Sequence, residues 1–230
     1  MEAYMRLAVC QSNYLPWRGY FDLIRCADVF VFHDDIQYTK QDWRNRNRLK
    51  MNDGTHWFTV PVKKHPTDTA IDQIEIDGNS WVNQHRGMIA SSLSLCPHYA
   101  DVLPLIKDLG KFTHLSVMNQ ELIRRVCFYL GIHTQRMDAR PMGLTGKKTE
   151  KILAICKYLG ADTYISGPAA RQYLDVDLLE SHGIKTEWKD YNYLPYPQPW
   201  GAFDGAVTIL DLIANLGHEA QNQIYSMTEY

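Results

Sequence analysis

The most constraining feature of this 230-residue sequence is a strand, a turn, a helix and a second strand at its beginning. Residues 7–14, LAVCQSNY, begin with apolar β-formers, and residues 15–19, LPWRG, carry the proline and glycine of a turn. Residues 20–27, YFDLIRCA, predict a short helix, and residues 28–35, DVFVFHDD, a strand covered on both faces. A helical crossover joins parallel strands, so the sequence predicts a parallel pair here.

Strand and helix patterns alternate along most of the remaining chain. They predict an α/β fold with a largely parallel central sheet and helices on both faces, of a Rossmann-like or nucleotidyltransferase-like kind. We expect residues 1–230 to form one domain. Residues 40–100 depart from the alternation, which indicates an inserted β-rich or α+β flap. Inside it, the isoleucines of residues 70–77, AIDQIEID, predict a further strand.

Composition and charge exclude several classes of protein. The formal net charge is −2, so we expect no general attraction to nucleic acid. Five cysteines without paired short spacings argue against a disulfide framework or a zinc knuckle, and they favour a reducing cytoplasm. No apolar run is long enough to span a bilayer, and the first residues lack a signal-peptide pattern. The sequence identifies no metal site and no cofactor.

The turn after the first predicted strand is the first candidate ligand site. In open α/β sheets, ligands bind beyond the carboxyl ends of the strands. Gln11, Asn13 and Tyr14 fall at that position, and Gly19 would let the backbone approach an anion where the helix begins. The alternative is a tight connection in which the glycine serves only geometry.

Acidic and polar residues follow the second predicted strand. Asp34 and Asp35 end it, and they could orient a ribose hydroxyl, hold a divalent metal or act as a base. Neighbouring strand residues point to opposite sides, so we expect only one of the pair to face the site. Gln37, Tyr38 and Lys40 add polar groups within reach. The alternative is a pair of solvated acids at a strand end.

The segment DWRNRNRLK, residues 42–50, concentrates positive charge. In an extended segment, four basic side chains share one face: Arg44, Arg46, Arg48 and Lys50. Asn45 and Asn47 lie on the opposite face. Guanidinium groups bind phosphate or carboxylate bidentately, which favours an anionic ligand. Two indoles flank the segment and could stack on a base or sugar ring: Trp43 and Trp57. A solvated basic loop and a nucleic-acid contact are the alternatives.

Two later segments contain further candidates. In YISGPAARQYLD, a strand runs into Ser166 and Gly167, and a helix is predicted from position 169. That arrangement makes an anion cradle toward which Arg171 would point. In DYNYLPYPQPWGAF, the polar tips of Tyr196 and Gln198 could reach the ligand edge of the sheet. A surface loop pinned by its aromatic side chains is the alternative.

The chain resembles the WbqC-like family, bacterial proteins often associated with surface-polysaccharide gene clusters. The resemblance rests on stretches that occur in order along most of the chain: QSNYLPWRGYFDLI, DVFVFHDDIQYTKQDWRNRNRLK, WFTVPV, YISGPAARQYLD, YLPYPQP and ILDLIANLG. It implies a role in building or modifying cell-surface glycans.

A more distant similarity is to the nucleotidylyltransferases with a His-x-Gly-His signature. The segment PWRGYFDLIRCADVFVF is similar to their turn, helix and second strand, and ISGPAAR is similar to their second signature at Ser166, Gly167 and Arg171. Trp17 and Tyr20 stand where the two histidines belong, and an indole cannot carry a charge at a phosphate. The similarity therefore implies a nucleotide-type cradle reworked for other chemistry.

These residues lead to three functional hypotheses. In the first, a transferase binds a small anionic substrate, which is a nucleotide, a nucleotide sugar or an activated acyl donor. It moves a small acyl or aminoacyl group to an amino sugar or nucleotide-linked sugar, with Arg44, Arg46 and Arg171 on the phosphate and Asp35 as base. In the second, the protein binds nucleotides or nucleotide sugars without catalysis. The third, nucleic-acid binding, is disfavoured by the charge, and a homodimer is compatible with the first two.

Overall fold

The computed structural model describes residues 4–227, whose central element is a five-stranded parallel sheet. Its strands in chain order are β1 (Arg6–Cys10), β2 (Val29–Phe32), β5 (Gln135–Asp138), β6 (Thr163–Ser166) and β7 (Lys185–Trp188). The spatial order is β5-β2-β1-β6-β7, and Leu7 of β1 pairs with Val29 on one side and Tyr164 on the other. The predicted parallel pair at the start of the chain and the predicted α/β class are both confirmed.

Helices cover the two faces of this sheet. They are α1 (Arg18–Arg25), α2 (Trp81–Leu93), α3 (Tyr99–Leu105), α4 (Leu115–Tyr129), α5 (Thr149–Leu159), α6 (Val176–Glu180) and α7 (Ile209–Leu216). Side chains alternate along a strand, so Ala8 joins one core cluster with α1, α4 and α7. Leu7 and Val9 join the other with α5 and α6. The face of α1 and the face of α5 are thus the two sides of the sheet.

The strand order reverses direction between β1 and β6. From β1 the chain proceeds to β2 and β5 on one side, whereas β6 and β7 lie on the other. The connections that leave β1 and β6 therefore separate at their carboxyl ends, which is where open α/β sheets bind ligands. The turns that follow Cys10 and Ser166 meet at this point.

A β-hairpin is inserted between β2 and β5. Its strands β3 (Arg46–Met51) and β4 (Gly54–Thr59) pair antiparallel, and Leu49 and Phe58 are buried in the core cluster of α1. The strand predicted for residues 70–77 is wrong. The segment forms a 3-10 turn at Ile71–Gln73 and then single bridges to separate parts of the chain. Its isoleucines are buried in the core, but among the described residues no continuous strand pairs with the segment.

The helix predicted from position 169 is also absent from the described chain. Residues Pro168–Gln172 form a 3-10 turn, and α6 begins only at Val176. A single turn of this kind aligns few peptide groups, so it supplies less N-terminal dipole than the predicted α-helix would.

We propose that residues 1–230 unfold as one unit, because the hairpin, the sheet and α4 share one core cluster. We expect a single unfolding transition in urea. Tryptophan fluorescence, which includes Trp43 and Trp57 near the hairpin, should follow the same curve as far-UV circular dichroism. A separate early fluorescence transition would instead identify the insertion as an independent unit.

Candidate functional site

The turn that follows β1 is held in an unusual conformation at the sheet edge. Leu15 has a φ of 44°, in the left-handed region that L-residues other than glycine rarely adopt. Its carbonyl accepts hydrogen bonds from Asn47 Nδ2 at 2.7 Å and from Thr208 Oγ1 at 2.8 Å. Asn47 also donates to the carbonyl of Tyr14. The hairpin and the start of α7 therefore fix this turn from both sides.

A cavity of about 310 Å³ opens beside this turn. It is lined by Asn13, Pro16, Trp17, Trp43, Asn47 and Ala206. Most of the lining is indole, proline ring and methyl, and the polar contribution comes from two amide side chains. Small-molecule sites have this make-up, with apolar walls and few polar groups that fix orientation.

Arg44 lies next to the cavity and is oriented by two side chains. Its Nη1 donates to Asn13 Oδ1 at 2.7 Å, and its Nη2 lies 3.1 Å from Asp42 Oδ2. Asn119 of α4 donates from Nδ2 to the Arg44 carbonyl at 2.7 Å. Burial raises the pKa of the Cys10 thiol to about 11, and the positive charge of Arg44 opposes that rise. The charge of Arg44 therefore acts at the end of β1.

Two further arginines share one indole on the hairpin. The guanidinium carbon of Arg46 lies 4.1 Å from the ring centroid of Trp57, and that of Arg48 lies 5.8 Å away. Arg48 also donates twice to the carbonyl of Ala206 at the cavity. The ion pairs within residues 4–227 give neither arginine a carboxylate partner within 4 Å. This face of β3 thus carries positive charge that a bound anion would neutralise.

Trp43 connects the cavity with the arginine face. Its ring centroid lies 5.1 Å from that of Trp57, and each side chain is about two-fifths exposed, at 40% and 43%. The indole that lines the cavity therefore contacts the indole on which Arg46 stacks. A ligand in the cavity and an anion on the hairpin would be close neighbours.

The two acids after β2 have separate environments. Asp34 is fully buried and accepts from the Ser12 amide at 2.7 Å, from Ser116 Oγ and from Gln120 Nε2 at 3.1 Å. Every one of these contacts is with the protein itself, so Asp34 organises the turn after β1 rather than offering its carboxylate to a ligand. Both acids lie beyond the end of β2 at Phe32, so the loop rather than strand alternation sets their different environments.

Asp35 belongs to a nearly buried charged group. Its Oδ2 accepts from Lys151 Nζ at 2.8 Å, and its Oδ1 lies 3.6 Å from His33 Nε2. Those two facing atoms have no hydrogen-bond partner among residues 4–227. Burial lowers the pKa of His33, and the charge of Asp35 opposes that shift. Lys151 also donates to the carbonyl of Leu144, which fixes its position.

Several predicted ligand residues are committed to packing. Tyr14 is fully buried, with its hydroxyl 3.0 Å from His85 Nδ1, so it belongs to the core. Gly19 is covered by the indole of Trp17, since a Cβ there would lie 2.4 Å from the ring. The glycine therefore admits Trp17 rather than a phosphate. Tyr20 is buried and donates to the carbonyl of Gln11 at 2.9 Å.

The residues after Asp35 lie at different depths. Gln37 is exposed and donates from its amide to a backbone carbonyl, and Lys40 is exposed. Tyr38 is buried, and burial raises the pKa of its hydroxyl to about 12 while the charges of Arg44 and Arg46 oppose that rise. Tyr38 therefore lies within the electrostatic reach of both arginines.

Lys50, Tyr196 and Gln198 form a largely buried hydrogen-bond network with Asp211 of α7. Gln198 Oε1 accepts from Lys50 Nζ at 3.1 Å, and Tyr196 and Gln198 both donate to Asp211 Oδ1. Burial raises the pKa of Asp211. These side chains hold the aromatic segment of residues 190–203 against α7, so a structural role accounts for their contacts.

The turn after β6 contributes less than the sequence suggested. Ser166 is buried, and a Cβ at Gly167 would lie 3.0 Å from the Tyr191 hydroxyl. The guanidinium carbon of Arg171 lies 4.4 Å from the ring centroid of Trp188, an indole that packs on the α5 face of the sheet. The hairpin packs on the opposite face. The contacts of Arg171 therefore give no support to a shared anion site with Arg44 and Arg46.

The site is also positioned by residues that the sequence analysis does not single out. Three buried polar residues lie on one face of α4: Ser116 and Gln120 donate to Asp34, and Asn119 donates to the Arg44 carbonyl. Polar residues at helical spacing within an otherwise apolar face were the available signal. The similarity to nucleotidylyltransferases identifies Trp17 only as a replacement for histidine, whereas in the structure its indole forms a wall of the cavity.

Residues 4–227 contain neither a metal-binding cluster nor a membrane-spanning helix. No group of three or more histidine, cysteine, aspartate or glutamate side chains in that range could hold a metal ion. No helix in the same range is long and apolar enough to cross a membrane.

Almost the whole chain is similar to known proteins. The model of the WbqC-like protein family matches residues 11–223. The chain is 41% identical over 224 residues to "Uncharacterized protein Rv1507c" of Mycobacterium tuberculosis, which covers 95% of this chain and 97% of that protein. No solved structure matches the chain.

Proposed function

Because the chain belongs to the WbqC-like protein family, we propose that it is a transferase of bacterial surface-polysaccharide biosynthesis. It moves a small acyl or aminoacyl group from an activated donor to an amino sugar or a nucleotide-linked sugar. Its ligand is a small anion-bearing molecule, such as a nucleotide sugar or a phosphorylated donor.

One observation carries this proposal. Arg46 and Arg48 stack on one exposed indole without a carboxylate partner among the described residues, beside a cavity at the carboxyl edge of a parallel sheet. Like charges held together favour an anion between them, and arginine matches phosphate bidentately. Arg44, held by Asn13 and Asp42, supplies a third cation at the cavity.

We assign Asp35 as the base for the acceptor. Lys151 holds one carboxylate oxygen at 2.8 Å, and the other oxygen is without a hydrogen-bond partner in the described chain. In the transfer step the acceptor nitrogen or oxygen bonds to the acyl carbon and its proton passes to Asp35. The bond from that carbon to the donor's leaving group breaks at the same centre, and the leaving group takes the electron pair.

The Arg46→Ala variant tests the anion site. Removing a guanidinium that contacts phosphate should weaken binding of nucleoside diphosphate sugars at least tenfold in titration calorimetry, and more at low salt. Arg86→Ala, which removes an exposed arginine of α2, is the matched control and should bind as the parent does. Equal affinity in the parent and in Arg46→Ala would rule out an anion site on the hairpin.

A non-catalytic binding protein is the second candidate, and the packing of the opening turn favours it. Tyr20 is buried, and Trp17 packs against Tyr191 with ring centroids 5.2 Å apart. Neither offers a positive charge where the similar nucleotidylyltransferases use histidine. This candidate predicts binding of nucleotide sugars with no turnover, so incubation with amino sugars and acyl or aminoacyl donors, read by mass spectrometry, separates the two.

A further inference from the structure

We infer that the cavity between Trp17 and Trp43 binds a nucleobase, and that Arg44 binds the phosphate of the same nucleotide. The inference rests on the proposed function and specifies which part of the ligand enters the cavity. It separates a nucleotide-linked sugar from an acyl donor as the occupant.

The walls of the cavity suit a flat ring. Two indoles, the ring of Pro16 and the methyl group of Ala206 make up most of its lining. Its volume of about 310 Å³ lies at the lower end of the usual range for small-molecule sites, roughly 300–1,000 Å³. Bases stack favourably on aromatic side chains because every base has a π face.

The polar groups of the wall suit a ring that bears a carbonyl. The amide of Asn47 is fully used, since its Nδ2 donates to two backbone carbonyls and its Oδ1 accepts from the Arg48 amide. Asn13 accepts from Arg44 through Oδ1, and no hydrogen bond from its Nδ2 is found within residues 4–227. That N–H group is therefore a donor for a base carbonyl. A hydrocarbon chain in the cavity would leave this donor without a protein or ligand acceptor.

The Arg44 guanidinium lies beside one wall of the cavity. Arg44 is directly hydrogen-bonded to a wall residue, with 2.7 Å between Arg44 Nη1 and Asn13 Oδ1. Arg44 Nη2 also lies 3.1 Å from Asp42 Oδ2, so a phosphate bound here would share the guanidinium with that carboxylate. The site is also preorganised, because Asn47 and Thr208 hold the Leu15 turn that forms its floor.

The test compares ligands with and without a base. The probes are uridine, cytidine, adenosine and guanosine 5′-monophosphates, ribose 5-phosphate and a short acyl thioester, titrated by calorimetry into the full chain. We expect at least one nucleotide to bind tenfold or more tightly than ribose 5-phosphate. Trp43→Ala should remove that difference, Trp43→Phe should keep part of it, and neither should change the affinity for ribose 5-phosphate.

Two further variants sharpen the assignment. Asn13→Asp keeps an oxygen for Arg44 but removes the N–H donor, so it should weaken nucleotide binding several-fold. Tyr158→Ala removes an exposed aromatic ring on α5 and should match the parent.

The inference is overturned if no nucleotide binds better than ribose 5-phosphate, or if Trp43→Ala leaves nucleotide binding unchanged. It is also overturned if the acyl thioester alone binds and depends on Trp43. In that last case the transferase proposal survives. An unchanged affinity of Arg46→Ala for nucleoside diphosphate sugars has the opposite effect, because it removes the transferase proposal. The Trp43 variants then decide alone whether the cavity binds a base.

Discussion

Replacing Asp34 with alanine is expected to lower the free energy of unfolding by on the order of 3–5 kcal/mol. The carboxylate is fully buried and accepts from the Ser12 amide, Ser116 Oγ and Gln120 Nε2. Alanine removes the acceptor of the Ser12 amide and of the Ser116 hydroxyl in a site that water does not reach, whereas Gln120 Nε2 keeps its contacts with Ser116 Oγ and Asp138 Oδ2. Because Ser12 precedes Asn13, the substitution should also loosen the Asn13–Arg44 contact and weaken ligand binding. Urea unfolding at pH 7 measures the first effect, and titration calorimetry the second.

A second substitution tests the cause of this loss. Asp34→Asn keeps one oxygen for the Ser12 amide and replaces the other with a donor that faces Gln120, so we expect a smaller loss than with alanine. Asp53→Asn, on the exposed hairpin turn, is the matched control and should lie within about 0.5 kcal/mol of the parent. An alanine variant as stable as this control would mean that the carboxylate does not hold the turn.

Acidification is expected to destabilise the protein through His85 by about 3 kcal/mol. Burial lowers the pKa of this imidazole from 6.5 to about 4. As the pH falls below 6.5, the unfolded chain binds a proton at this position while the folded chain does not. The stability that the neutral ring contributes is present above pH 6.5 and is lost progressively down to about pH 4. Denaturant unfolding at pH 7, 5.5 and 4 measures the effect.

The tautomer of His85 explains why protonation is unfavourable. Nε2 lies 3.2 Å from the Thr59 carbonyl, which can only accept, so the proton is on Nε2 and Nδ1 accepts from the Tyr14 hydroxyl. A second proton on Nδ1 removes that acceptor inside the core. His85→Gln can keep both contacts without titrating, so its stability should fall less between pH 7 and 4. His56→Gln, at an exposed hairpin position, should keep the parent's pH dependence, and parallel curves for all three proteins would contradict the assignment.

Local patterns predict the elements on which the site is built. The apolar run of β2 and the turn before α1 depend on neighbouring residues, and both elements form, although β2 covers only Val29–Phe32 of the predicted 28–35 and α1 begins at Arg18 instead of residue 20. Parallel topology then brings Asn13 and the acids after β2 to one edge, since all carboxyl ends of a parallel sheet lie together. The charged face of β3 follows from the two-residue period of a strand.

Long-range packing decides the parts that the sequence could not predict. Asp34 is buried because Ser116 and Gln120 lie above it, 82 and 86 positions away in the chain. Tyr14 reaches His85 over 71 positions, which removes it from the ligand side. No local pattern records such partners. The segment 70–77 fails for the same reason, because isoleucine periodicity reports burial and not the presence of a neighbouring strand.

The left-handed turn at Leu15 has a consequence for how the chain matures. Donors 32 and 193 positions further along the chain hold its carbonyl, so the bend is held from both sides only in a chain that includes Thr208. A chain that stops short of Thr208 would contain nearly every wall of the cavity and still lack its shape. We therefore expect fragments that end before Thr208 to bind the proposed nucleotide ligand more weakly than the full chain does.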